Sequence, residues 1–154
     1  MDIKYINPFI EATFHVLETM AFTKPEVGKP FLKKDHLARG DVSAIIGLTG
    51  DVKGTISVSF MEESILFIVS NMFGEEIRKL NDEVRDAAGE IANMISGQAR
   101  QKLEGLGRNL KAAIPTVIMG KGHTIKHITD QKIVAIPFHT NSGEFTIEVC
   151  FEEQ

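Results

Sequence analysis

The sequence predicts an α+β fold: an antiparallel sheet with helices packed on one of its faces. Two observations carry that expectation. Stretches of alternating apolar and polar residues are separated by stretches of helical period, in the order helix, two strands, two helices, then three or so strands. No low-complexity segment or linker divides the 154 residues, so one domain spanning 1–154 is expected. A chain of that length buries a core without metal or disulfide staples.

Asn7-Pro8 opens the first helix, with Asn7 as the expected cap and Pro8 at the first helical position. Ile10, Phe14, Leu17 and Ala21 mark one face of it; Pro25, Gly28 and Pro30 end it and begin a polar connection. Residues 42–61 read as a hairpin. Val42, Ala44, Ile46 and Leu48 alternate with smaller or more polar neighbours, and Val52, Ile56, Val58 and Phe60 do so against Lys53, Thr55, Ser57 and Ser59. Thr49-Gly50-Asp51 supplies the turn. Glu62 and Glu63 suit the positive end of a second helix, which continues through Ile65, Ile68, Val69 and Met72 and stops at Gly74. Met72 and Phe73 are expected as core packing.

The longest helix spans about residues 82–106, with Asn81 as its cap and Gly105 and Gly107 closing it. Val84, Ala88, Ile91, Ile95, Ala99, Leu103 and Leu106 trace one apolar stripe along it. The last third is strand-like. A short apolar run covers 116–119, residues 133–138 are apolar on both faces, and Phe145, Ile147, Val149 and Phe151 alternate with Thr146, Glu148 and Cys150. Asn141-Ser142-Gly143 makes the turn before the last strand. Pro137 lacks an amide donor, so its strand is expected at an edge or ending.

A formal net charge of -4 argues against a fold built as a whole to seek nucleic-acid phosphates. One cysteine, Cys150, makes no internal disulfide, and no Cys/His cluster suggests zinc. His123 and His127 are four apart, a spacing that suits two metal ligands on a helix, but Gly120, Gly122 and Thr124 around them point to a loop or strand. Two solvated histidines are expected there, and no metal. No charged region followed by a long apolar run opens the sequence, and no stretch approaches bilayer-spanning length. The expectation is a cytoplasmic protein with neither a membrane nor a nucleic-acid partner.

At about 100° per residue, the long stripe centres near Ile95. Glu90 and Asn93 then project on the far side, with Asp86, Gly97, Arg100 and Glu104. A Glu-x-x-Asn pair alone describes many solvated helix faces. Gly89 and Gly97, however, sit inside the helix, where each costs roughly 1 kcal/mol relative to alanine. Asn93 is itself a mediocre helix former in that position. Glycines beside a mid-helix asparagine lower the face and let another backbone approach. Asp86, Gly89, Gly97 and Arg100 are therefore candidate partner-binding residues.

The run Gly89-Glu90-Ile91-Ala92-Asn93-Met94-Ile95-Ser96-Gly97 resembles the signature helix of the CheX family of chemotaxis phosphatases, relatives of CheC and FliY. Asn7-Pro8-Phe9-Ile10-Glu11-Ala12 is similar to the family's opening helix, and Ile46-Gly47-Leu48-Thr49-Gly50-Asp51-Val52-Lys53-Gly54 to its first hairpin. The order of elements matches as well, so the likeness covers essentially the whole domain. It implies a CheC/CheX-like fold, a homodimer built by sheet pairing, and Glu90 and Asn93 as catalytic residues entering the active site of a phosphorylated CheY-like response regulator. Relatives with two motifs carry one on each of two helices. Here Phe14 stands where the first helix would need an asparagine, which leaves a single motif.

The substrate so implied is the aspartyl phosphate of a receiver domain in two-component chemotaxis signalling. The receiver supplies Mg²⁺ and a lysine, and the phosphatase needs no cofactor of its own. Phosphoryl transfer through a loose transition state asks for a well-placed water. A neutral carboxamide both accepts from and donates to water without adding charge beside the anionic phosphoryl group, which suits Asn93. Glu90, being anionic, is better aimed at a cation, by resemblance the receiver's lysine. The alternative is a module that holds a phosphorylated receiver without hydrolysing it, as a flagellar motor-switch component does. A small-molecule hydrolase finds no support: there is no Gly-x-Ser-x-Gly run and no phosphate-binding glycine loop.

Overall fold

A computed structural model of the chain describes residues 3–127 and 131–152. A 3₁₀ turn, Ile3–Tyr5, leads into α1 (Asn7–Ala21). Then come β1 (Glu26–Val27), β2 (Phe31–Leu32), β3 (Leu37–Gly50), β4 (Lys53–Phe60), α2 (Glu62–Phe73), α3 (Asp82–Gly105), β5 (Leu110–Ala112), β6 (Thr116–Lys126), β7 (Val134–Thr140) and β8 (Gly143–Glu152). The strands form one antiparallel sheet in the order β1-β7-β8-β4-β3-β5, with β2 also paired to β7 and β6 also paired to β3. The three helices cover one face of it, as the alternation demands.

The core lies between that face and the helices. Val42, Ala44, Ile46 and Leu48 of β3 and Ile56, Val58 and Phe60 of β4 point into it, together with Phe145, Ile147 and Val149 of β8. Phe138 stacks on Phe145 with ring centroids 5.0 Å apart. Phe14, the residue in place of a second-motif asparagine, is half-buried and meets Phe138 edge-on at 6.2 Å. It serves packing.

Several expectations are corrected. Asn7 does not cap α1. Ile6 already has helical dihedrals (φ -89, ψ -42) and accepts the Phe9 amide, so Asn7 falls inside the first turn and no side chain caps it. The polar connection at 25–30 contains β1 and leads into β2, and both lie along β7. Pro137 therefore sits one strand in from the edge. Its carbonyl accepts from the Gly28 amide at 2.8 Å, so the face on which its donor is missing meets the break between β1 and β2. Leu106 is no part of the buried stripe: α3 ends at Gly105, and Leu106 is exposed at the cap. The run at 116–119 is only the start of an eleven-residue strand.

That longer strand also explains the two histidines: His127 is buried rather than solvated, and His123 is half-buried. Pairing of β3 with β6 shifts register between Gly40 and Val42, and the far ends of the two strands reach over the sheet's helix-free face. His123 hydrogen-bonds to Ser43 Oγ at 2.8 Å, which in turn donates to Ser59. His127, 6% exposed, lies 3.0 Å from Glu148 Oε1, and Lys33 donates to the other carboxylate oxygen at 3.1 Å. Glu148 is 3% exposed, so the acid is buried with two partners and satisfied. Alternation alone set it opposite the apolar face of its strand and gave no sign of its burial.

Candidate functional site

The site is built on α3. Asn81 caps the helix, its side chain accepting the Val84 amide at 2.9 Å, and Asp82 and Glu83 occupy the positive first turn. Val84, Ala88, Ile91, Ile95, Ala99 and Leu103 are buried, as their spacing predicts. The helix is thereby pinned against β3, β5 and β6 with one face outward. Glu90 and Asn93 stand exposed on that face, one turn apart. Neither makes a hydrogen bond or ion pair among the described residues. They line an open groove of about 580 Å³ with Arg85, Asp86 and Gly89 on one wall. The facing wall is the β5–β6 link, with Ala112, Ala113, Ile114 and Pro115. Polar groups thus face an apolar rim, and the groove is open to a visiting molecule.

The candidate partner residues do not all fall together. Asp86 is exposed in the groove. Gly89 has an internal cause: a Cβ there would stand 3.1 Å from Val117 Cγ2 on β6, so its small size lets the strand approach the helix. Gly97 has none, since a Cβ would meet only the Arg100 guanidinium, at 3.9 Å. Gly97 and Arg100 line a second depression, of about 890 Å³, further along α3 and bordered by α1 and by Asp51 and Lys111. Arg100 is half-buried, and its Nε has no hydrogen-bond partner among the described residues. Asp41 was not anticipated. One carboxylate oxygen accepts the first amide of α2, from Glu62, at 2.7 Å, and the other accepts the Gly122 amide at 2.8 Å. Its place just before a run of alternation gave no hint of that. Among the described residues, no group of three or more His, Cys, Asp or Glu is placed to hold a metal ion, and no helix is long and apolar enough to cross a membrane.

Residues 42–139 match the family model for chemotaxis phosphatase CheX. The chain is also 32% identical, over 127 residues and 82% of either protein, to the CheY-P phosphatase CheX of Thermotoga maritima. The chain belongs to the CheX family. Membership makes it a chemotaxis phosphatase by family, and the Glu-x-x-Asn helix lies inside the matched span. The crystal structure of a CheX from Desulfovibrio desulfuricans has a TM-score of 0.91 at 48% identity, covering 96% of this chain and 99% of that one. A chain in the CheX-CheY-BeF3-Mg complex of Borrelia burgdorferi has a TM-score of 0.79 at 28% identity, covering 97% of this chain and 98% of that one.

Proposed function

We propose that this protein removes the phosphoryl group from the aspartyl phosphate of a CheY-like response regulator in the cytoplasm. One observation supports the reading above others: Glu90 and Asn93 are exposed, and unpartnered among the described residues, at the lip of an open groove, on a helix whose opposite side is locked in the core. A rigid carrier of this kind can hold a side chain over a partner's phosphate. Asn93 orients the attacking water by accepting one of its protons in a hydrogen bond, and it adds no charge beside the phosphoryl oxygens. Glu90 pairs with the receiver's lysine and sets the register in which Asn93 meets the water. Orientation of this kind supplies roughly 3–5 kcal/mol, or about two to four powers of ten in rate. Mg²⁺ belongs to the receiver in this reading, where it neutralises the phosphoryl group, and the phosphatase binds no metal of its own.

Two copies are proposed to join by sheet pairing. The outer edge of β6, eleven residues long, has no neighbouring strand among the described residues, and such an edge is a template for another chain.

The test is decay of phosphorylated regulator with substoichiometric protein. A phosphatase clears many equivalents, whereas a holding module protects at most its own. Asn93→Ala is expected to abolish the stimulated decay while binding of beryllofluoride-loaded regulator persists, and Glu90→Ala to lose both. Normal turnover by Asn93→Ala would remove it from the mechanism.

A further inference from the structure

The link between β5 and β6 is a β-bulge. Both strands lie along the same edge of β3. Leu48 pairs with Ala112 and Ile45 with Thr116. Three residues, 113–115, therefore oppose two, 46–47, leaving one extra residue in the outer strand. The side-chain parity confirms it: Leu110 and Ala112 pack on the core before the link, Val117 and Met119 after it. The link is held at both ends. The Ala113 amide donates to the Gly47 carbonyl at 2.9 Å, and Pro115 restricts its own φ. In the middle stands Ile114, 90% exposed, on the wall that faces Glu90 and Asn93.

An isolated apolar side chain on a surface needs no explanation. Ile114 differs in three respects. A register defect puts it there, the backbone on each side is fixed, and it borders the groove that bears the two candidate catalytic side chains. Bulges commonly re-aim a side chain beside an active site. We propose that Ile114 is a substrate-contacting residue, the apolar anchor on which the phosphorylated receiver domain seats as its acyl phosphate meets Asn93. This inference rests on the function proposed above. Its occupant is an apolar patch of the receiver next to the phosphorylated aspartate. The contact drives water out of one side of the groove, leaving the reacting molecule to be held from the other. A buried anchor ringed by weaker contacts is the usual way an interface concentrates its affinity.

The experiment is steady-state dephosphorylation across a range of regulator concentrations, with sedimentation velocity and thermal unfolding of each variant. Ile114→Ala is expected to raise KM about tenfold at unchanged kcat, the size typical of losing an interface anchor. Ile114→Asp should raise KM further, and Ile114→Val should restore it to near the native value. Because the side chain is exposed, all three variants should unfold at the native temperature and sediment as the native protein does. Native KM in both Ile114→Ala and Ile114→Asp overturns the anchor while leaving the phosphatase reading intact. Raised KM with an altered sedimentation coefficient assigns Ile114 to a contact between copies and also overturns it. Absence of turnover by the native protein sinks both readings together.

Discussion

Gly89 and Gly97 interrupt the same helix for different physical reasons. At Gly89 the helix needs the absence of a Cβ for its own packing, because Val117 Cγ2 stands 3.1 Å from where that atom would be. At Gly97 the protein's own structure asks for nothing, since the nearest atom is a flexible guanidinium 3.9 Å away. Gly97→Ala is therefore expected to stabilise the fold by about 0.5–1 kcal/mol, the helix-propensity gain, read as a higher urea midpoint. If the bare backbone at Gly97 serves a partner, the same variant should dephosphorylate the regulator less efficiently. Gly89→Ala should gain little or nothing in stability, because Val117 must shift to admit the methyl. Equal stabilisation by both substitutions would remove the distinction.

At the scale of elements, α3 shows how local chemistry and packing divide the labour. Its apolar stripe fixes which face is buried, and its cap fixes where it starts. Asn81→Ala is expected to cost about 1 kcal/mol in thermal or urea unfolding, since the Val84 amide loses its acceptor. Asn7→Ala, by contrast, should cost much less, because Asn7 lies inside its helix and caps nothing. A cost at Asn7 as large as that at Asn81 would contradict the assignment of Ile6 as the first cap. The two asparagines look alike in sequence, each preceding a helical pattern. What separates them is the 3₁₀ turn at Ile3–Tyr5, which carries helical geometry into Ile6 one residue early. The face bearing Glu90 and Asn93 was legible from period alone, for the stripe through Ile95 dictates its opposite.

For the molecule as a whole, the helix-free face of the sheet is where distant segments are clasped. Glu148 of β8 holds His127, just past β6, and Lys33, just past β2. Lys33 also donates to the Leu37 carbonyl, at the start of β3. The three groups join parts of the chain more than 100 residues apart (Lys33 and Glu148 differ by 115 positions). Removing the acid leaves the mostly buried Lys33 ammonium with only the exposed Asp35 carboxylate, 3.5 Å away, as a counter-charge, and takes from the buried His127 ring its hydrogen-bond partner. Glu148→Ala is expected to destabilise the protein by about 3 kcal/mol in urea unfolding, at the lower end for such pairs because Lys33 can turn its flexible stem toward water. A loss below about 0.5 kcal/mol, the range of ordinary surface changes, would show that the cluster does not clasp the fold.

The amino-acid sequence by itself determined the α+β class, the long helix and its outward Glu-x-x-Asn pair, because hydrophobic period is a local property and the stripe leaves no choice of face. Only the tertiary structure decided the burial of Glu148 and His127, the role of Gly89 against Val117 and the bulge that exposes Ile114. Each of these depends on which strand lies beside which and in what register. Pairing between residues far apart in the chain leaves no mark on the local alternation that a single sequence displays.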